Sequence, residues 1–134
     1  MNRCVIEANI GLALAVPLAY SGRVQELMQQ WHREHLRLVV PAVWGYEVAS
    51  GLRKAAASGF LTDAEAREAL HGLWALDLEE IPATLDRHVR SLAWAQRLGQ
   101  PVAYDSQYVV VAEELGAPLL DADRRLDVSA RVAG

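Results

Sequence analysis

A chain of 134 residues with 52% hydrophobic content and a mean hydropathy of +0.06 has material for one packed domain, expected to span 1–134. Its net charge of −4 and pI of about 5.5 exclude a uniformly basic nucleic-acid binder, though not a local basic patch on an acidic protein. The single cysteine, Cys4, excludes an intrachain disulfide and reads as a small core residue of a cytoplasmic protein.

"RCVIEA" over 3–8 is β-branched and apolar, bounded by the turn-prone Asn9, and predicts a first strand. A short helix is expected over 10–18, closing on Pro17. Arg3 followed by "IGLALAVPLAY" has the outline of a signal peptide. Glu7, Asn9 and Pro17 interrupt it, and it falls far short of the ~20 apolar residues that a membrane helix needs. It is therefore read as core, with no membrane partner.

Helical spacing of Val24, Leu27, Met28 and Trp31 predicts a helix over 22–35. "LRLVV" over 36–40 is a second strand, and 43–58 a helix stopped at Gly59. Thr62 with Glu65 three residues on is a capping box opening the next helix. "DLEEI" over 77–81 is a third strand; 84–98 is a helix between Thr84 and Gly99; 104–115 is a helix ending at Gly116. "APLL" over 117–120 is a fourth strand, and the chain closes in a last helix or a frayed tail. Alternating strands and helices predict a central parallel sheet between two helical layers, an α/β/α sandwich. Ligands of such sheets bind beyond the carboxyl ends of the strands, here at 7–9, just after 40 and at 121–123.

Those places carry isolated acids. Glu7 is the only charge between Arg3 and Arg23, Glu47 between Arg37 and Arg53, and Asp105 between Arg97 and Glu113; Asp121 and Asp123 follow the fourth strand. A buried carboxylate must be paired, protonated or bound to a cation. The apolar stretches hold no arginine, and a hard divalent cation such as Mg²⁺ or Mn²⁺ takes oxygen ligands of this kind. Asp105 leads an apolar stripe through Tyr108, Val109, Ala112 and Leu115, which turns the acid inward at a helix N-terminus. Each acid also has a plainer role: Asp105 or Asp123 as an N-cap, Glu47 on a solvated helix face, Glu7 at a strand edge, Asp121 in a turn. Their recurrence in one kind of context favours a metal site.

The stretches "VIEANI", "VPAVWGYEVASGLRK" and "VAYDSQYVVVAEELGAPLLDADRRL" resemble the PIN-domain family, especially the small VapC-type toxins of prokaryotic toxin–antitoxin pairs. The resemblance spans nearly the whole chain. It implies a PIN-like parallel sheet sandwiched by helices and a Mg²⁺- or Mn²⁺-dependent endoribonuclease. The matching acids are Glu7, Glu47, Asp105 and Asp123. Asn9 matches a small polar position after the first acid, and Asp121 stands where the family more often has Thr or Ser. Glu7 departs from the Asp usual at its position. The resemblance further implies an RNA substrate, a homodimer and a cognate antitoxin, for which the helices near 10–30 and 43–58 are candidate surfaces.

Arg53, Lys54, Arg124 and Arg125 lie near the acids in sequence and are candidate phosphate contacts, against the plainer reading of solvated surface charge. Trp31, Trp44, Trp74 and Trp94 have core or interface spacing. His32 and His35 lack further ligands and read as surface residues. The rival function is a catalytically impaired PIN-like domain that binds RNA or a protein partner, suggested by Glu7 in place of Asp. A phosphoacceptor or aspartate-phosphatase domain is disfavoured because the only lysine, Lys54, comes early. No Gly-Lys-Ser/Thr and no Gly-rich turn after the first strand are present, which disfavours nucleotide-binding folds.

Overall fold

A computed structural model of the chain describes residues 2–18 and 21–120. Strand β1 (Arg3–Ile6) runs into helix α1 (Ala8–Ala15), followed by α2 (Ser21–Arg33) and β2 (Arg37–Pro41). Helices α3 (Val43–Ala57) and α4 (Asp63–Trp74) precede β3 (Glu79–Ile81). Helices α5 (Leu85–Arg97) and α6 (Asp105–Leu115) lead to β4 (Leu119–Leu120). The expected closing helix, with Asp121, Asp123, Arg124 and Arg125, lies outside the described residues.

The four strands form one parallel sheet in the order β3-β2-β1-β4. Val5 of β1 pairs with Val39 on one side and Leu119 on the other, so β1 is a central strand. Cys4, Val5 and Ile6 are accordingly almost fully buried, as a central strand of a parallel sheet requires. Helices α1 to α4 pack among themselves, while α5 pairs with α6, which lies against β1, β2 and β4. This is the expected α/β/α arrangement, and no described helix is long and apolar enough to cross a membrane.

Local chemistry explains most element ends. The Thr62–Glu65 capping box is formed in full, with the Glu65 N–H donating to Thr62 Oγ1 at 3.0 Å and the Thr62 N–H to Glu65 Oε1 at 2.8 Å. Thr84 Oγ1 accepts from the Arg87 N–H at 3.1 Å at the start of α5. Three valines at 109–111 are poor helix formers, yet all are buried at 2% exposure or less and α6 runs through them. Tertiary burial outweighs the small intrinsic penalty.

Three expectations need correction. The first strand ends at Ile6 and α1 begins at Ala8, with the Glu7 N–H between them donating to the Leu120 carbonyl at 3.2 Å; Asn9 is a helical residue and not a turn. Trp31, Trp44 and Trp94 are core, but Trp74, the last residue of α4, is 60% exposed and leans on Trp44 with ring centroids 6.0 Å apart. The helix expected over 22–35 ends at Arg33 and leaves His35 beyond it with a φ of 55°, while His32 and His35 are both exposed, as expected.

Candidate active site

In the order β3-β2-β1-β4 the chain extends the sheet first to one side of β1 and finally to the other. The reversal opens a crevice at the carboxyl ends of β1 and β4. Glu7 is the first residue past β1 and serves as the N-cap residue of α1, in extended backbone with no capping bond from its own side chain. It is 7% exposed, the one buried carboxylate among the described residues. Asp105 opens α6 as its first helical residue, with Tyr104 at the N-cap position. Two acids therefore stand at helix N-termini, where the backbone dipole favours negative charge.

Glu47 arrives from α3, one turn past its start. The Tyr108 hydroxyl, 61 residues away in sequence, donates to Glu47 Oε1 at 2.6 Å, a short charge-assisted bond. Tyr108 is 1% exposed. Burial, then the charges of Glu47 and Glu7, hold its phenol far above the usual tyrosine range, so it stays a proton donor. Burial also raises the Glu47 carboxyl; the Tyr108 bond lowers it, and the charge of Asp105 raises it further. Glu47 thus feels the charge of Asp105, and Tyr108 the charges of Glu47 and Glu7.

Asp105 is exposed, contrary to the inward orientation its stripe suggests. Tyr108, Val109 and Ala112 do turn into the core, but the acid stands at the open end of the helix and takes a bond from Gln100 Nε2 at 3.3 Å. It is not an N-cap either, for the α6 N-cap residue, Tyr104, makes no side-chain bond. Asn9 is half-buried on the first turn of α1. Tyr108 appears in the sequence only as a member of the stripe; a lone phenol in an apolar helix face was the available sign of its bond to an acid.

The candidate cations separate. Lys54 lies seven residues after Glu47 on α3, on the same face and about 10 Å along the axis. Arg53 turns to the α4 side and pairs with Asp63 at 3.4 Å. Other arginine pairs go to Asp77, Glu79, Asp86 and Glu114. Among the described residues no three His, Cys, Asp or Glu side chains make a group ready to hold an ion. Glu7, Glu47 and Asp105 offer carboxylate oxygens, chemistry that fits a hard divalent cation and not a soft one.

No family model matches the chain. Ribonuclease VapC3 from Pyrobaculum aerophilum is 33% identical over 128 residues, which covers 92% of each chain. The fold is similar to that of VapC20 from Mycobacterium tuberculosis, a sarcin–ricin loop cleaving toxin, with a TM-score of 0.67 at 15% identity over 90% of this chain and 91% of that one. It is also similar to VapBC2 from Rickettsia felis, solved bound to a DNA fragment from its promoter, with a TM-score of 0.62 at 11% identity over 89% and 86% of the two chains. The identity to VapC3 along nearly all of both chains, on the same sandwich, makes this protein a member of the VapC ribonuclease family.

Proposed function

We propose that the protein is the toxin of a VapBC-type pair, an endoribonuclease that hydrolyses RNA phosphodiesters with Mg²⁺ or Mn²⁺ held at Glu7, Glu47, Asp105 and Asp123, with Asp121 as a further ligand. The observation that carries the reading is the 2.6 Å bond from the Tyr108 hydroxyl to Glu47, which joins α3 to the helix that opens with Asp105; burial first, and then the charge of Asp105, raise the Glu47 carboxyl. Like charges drawn together at the crevice of a parallel sheet call for a cation. A bound divalent ion supplies an acidified water and offsets charge on the phosphate oxygens. The chain's own part is to hold the carboxylates: Glu7 and Asp105 at helix N-termini, Glu47 by Tyr108. Asn9 supports the first acid from the same turn. Lys54 is the better placed of the described phosphate contacts, with Arg124 and Arg125 assigned the same role.

The antitoxin and a second copy of the chain complete the proposal. A groove between α3 and α4, lined by Leu52, Ala56, Ala66 and Leu70 with Arg53 and Arg67 beside them, supports an antitoxin segment. Leu85, Val89 and Leu92 form an exposed apolar row on α5 that supports a homodimer. A cytoplasmic setting and a single domain over 1–134 belong to the same reading.

The test is cleavage of RNA by pure protein with Mg²⁺ or Mn²⁺ and with chelator. Cleavage is expected only with metal, and its loss is expected in Asp105→Asn. RNA binding without cleavage under every metal condition would favour the rival binding module, which Glu7 in place of Asp supports.

A further inference from the structure

We propose that Tyr108 is the positioning residue of the acid cluster: its hydroxyl fixes the Glu47 carboxylate of α3 against α6, the helix that opens with Asp105. This rests on the nuclease reading above.

Two elements meet at one oxygen. The hydroxyl donates to Glu47 Oε1 on α3 at 2.6 Å, while its own helix, α6, begins with Asp105. The two residues are 61 apart in sequence, so the bond is a tertiary tie between the helices that carry two of the acids. The ring is 1% exposed and packed, so phenylalanine would fill the same space. What only the hydroxyl provides is the fixed placement of the Glu47 carboxylate against α6, the element that carries Asp105. Groups that hold a metal ligand from behind typically account for roughly 10- to 100-fold in affinity or activity.

The experiment uses the full chain as wild type, Tyr108→Phe, Glu47→Gln and the double variant. Mn²⁺ binding is measured by calorimetry, and unfolding by denaturant in the absence of metal. The expected result is a roughly 10- to 100-fold weaker Mn²⁺ affinity in Tyr108→Phe. In metal-free protein the two substitutions should be non-additive, since they remove the two ends of one bond. Equal Mn²⁺ affinity in wild type and Tyr108→Phe would overturn the inference and leave the nuclease reading standing. Additive unfolding effects would overturn it as well. Wild type that takes up no Mn²⁺ would overturn the nuclease reading, and with it any role for Tyr108 in a metal site.

Discussion

Glu7, Glu47 and Asp105 meet solvent to different degrees, and this decides what each substitution can report. Glu7 is 7% exposed, Glu47 is partly buried and Asp105 is exposed. Substituting the first two perturbs packing as well as chemistry. Asp105→Asn removes only a solvent-facing charge that disfavours the neighbouring Glu47 carboxylate. We expect its stability to stay within about 0.5 kcal/mol of wild type. Its metal-dependent RNA cleavage should fall by more than roughly 100-fold, beyond what groups behind a ligand typically cost. Thermal melts of the same preparations used for cleavage check both halves. The acids themselves were legible in the sequence because each interrupts an apolar stretch. The link between Glu47 and Tyr108 was not, because it joins residues on separate helices and no local pattern encodes it.

Between elements, two contacts set how the site is held. Gly11 on α1 faces the indole of Trp44 on α3, and a Cβ there would stand 2.9 Å from Trp44 Cζ2. Trp44 is buried and rigidly packed, so it has little room to move. Gly11→Ala should destabilise by about 1 to 2 kcal/mol, overpacking outweighing the helix-propensity gain. Denaturant unfolding of the pair tests it. On the other face, Glu114 of α6 binds Arg87 at 3.0 Å and Arg90 at 2.9 Å on α5. Its hydrogen bond from Arg87, with the bond from Arg90 and both charges, holds its carboxyl below the usual range, against the opposing effect of desolvation. A depressed folded-state carboxyl contributes stability above its unfolded value and loses it as pH falls through the folded one. Glu114→Gln should therefore cost about 0.5 to 1 kcal/mol at neutral pH, a figure limited by solvent screening, and the difference should close in acid below the carboxylate range. Melts of both proteins across that window check the sign. Caps such as Thr62 and Thr84 were readable because side chain and target lie three residues apart. The end of β1 was not, because Glu7 opens α1 without a side-chain capping bond that would mark the boundary.

At the scale of the molecule, the strand order explains how acids scattered from residue 7 to residue 105 come to the same end of the sheet. The alternation of elements was enough to expect a parallel sheet with helices on both faces. The order β3-β2-β1-β4 was not readable from it, and that order sets β1 and β4 side by side at the crevice. Trp74 shows the same boundary: its helical spacing suits a core, yet the end of α4 leaves it 60% exposed. Apolar spacing names a face of a helix and not what covers it. The account stands on one claim, that the carboxylates at this crevice hold a divalent cation. Anomalous diffraction from a crystal of the full chain soaked in Mn²⁺ tests it directly. The account predicts a peak among Glu7, Glu47 and Asp105, within ligand distance of at least two of their carboxylates. A well-ordered crystal with no peak there, or with its strongest peak elsewhere, would contradict it.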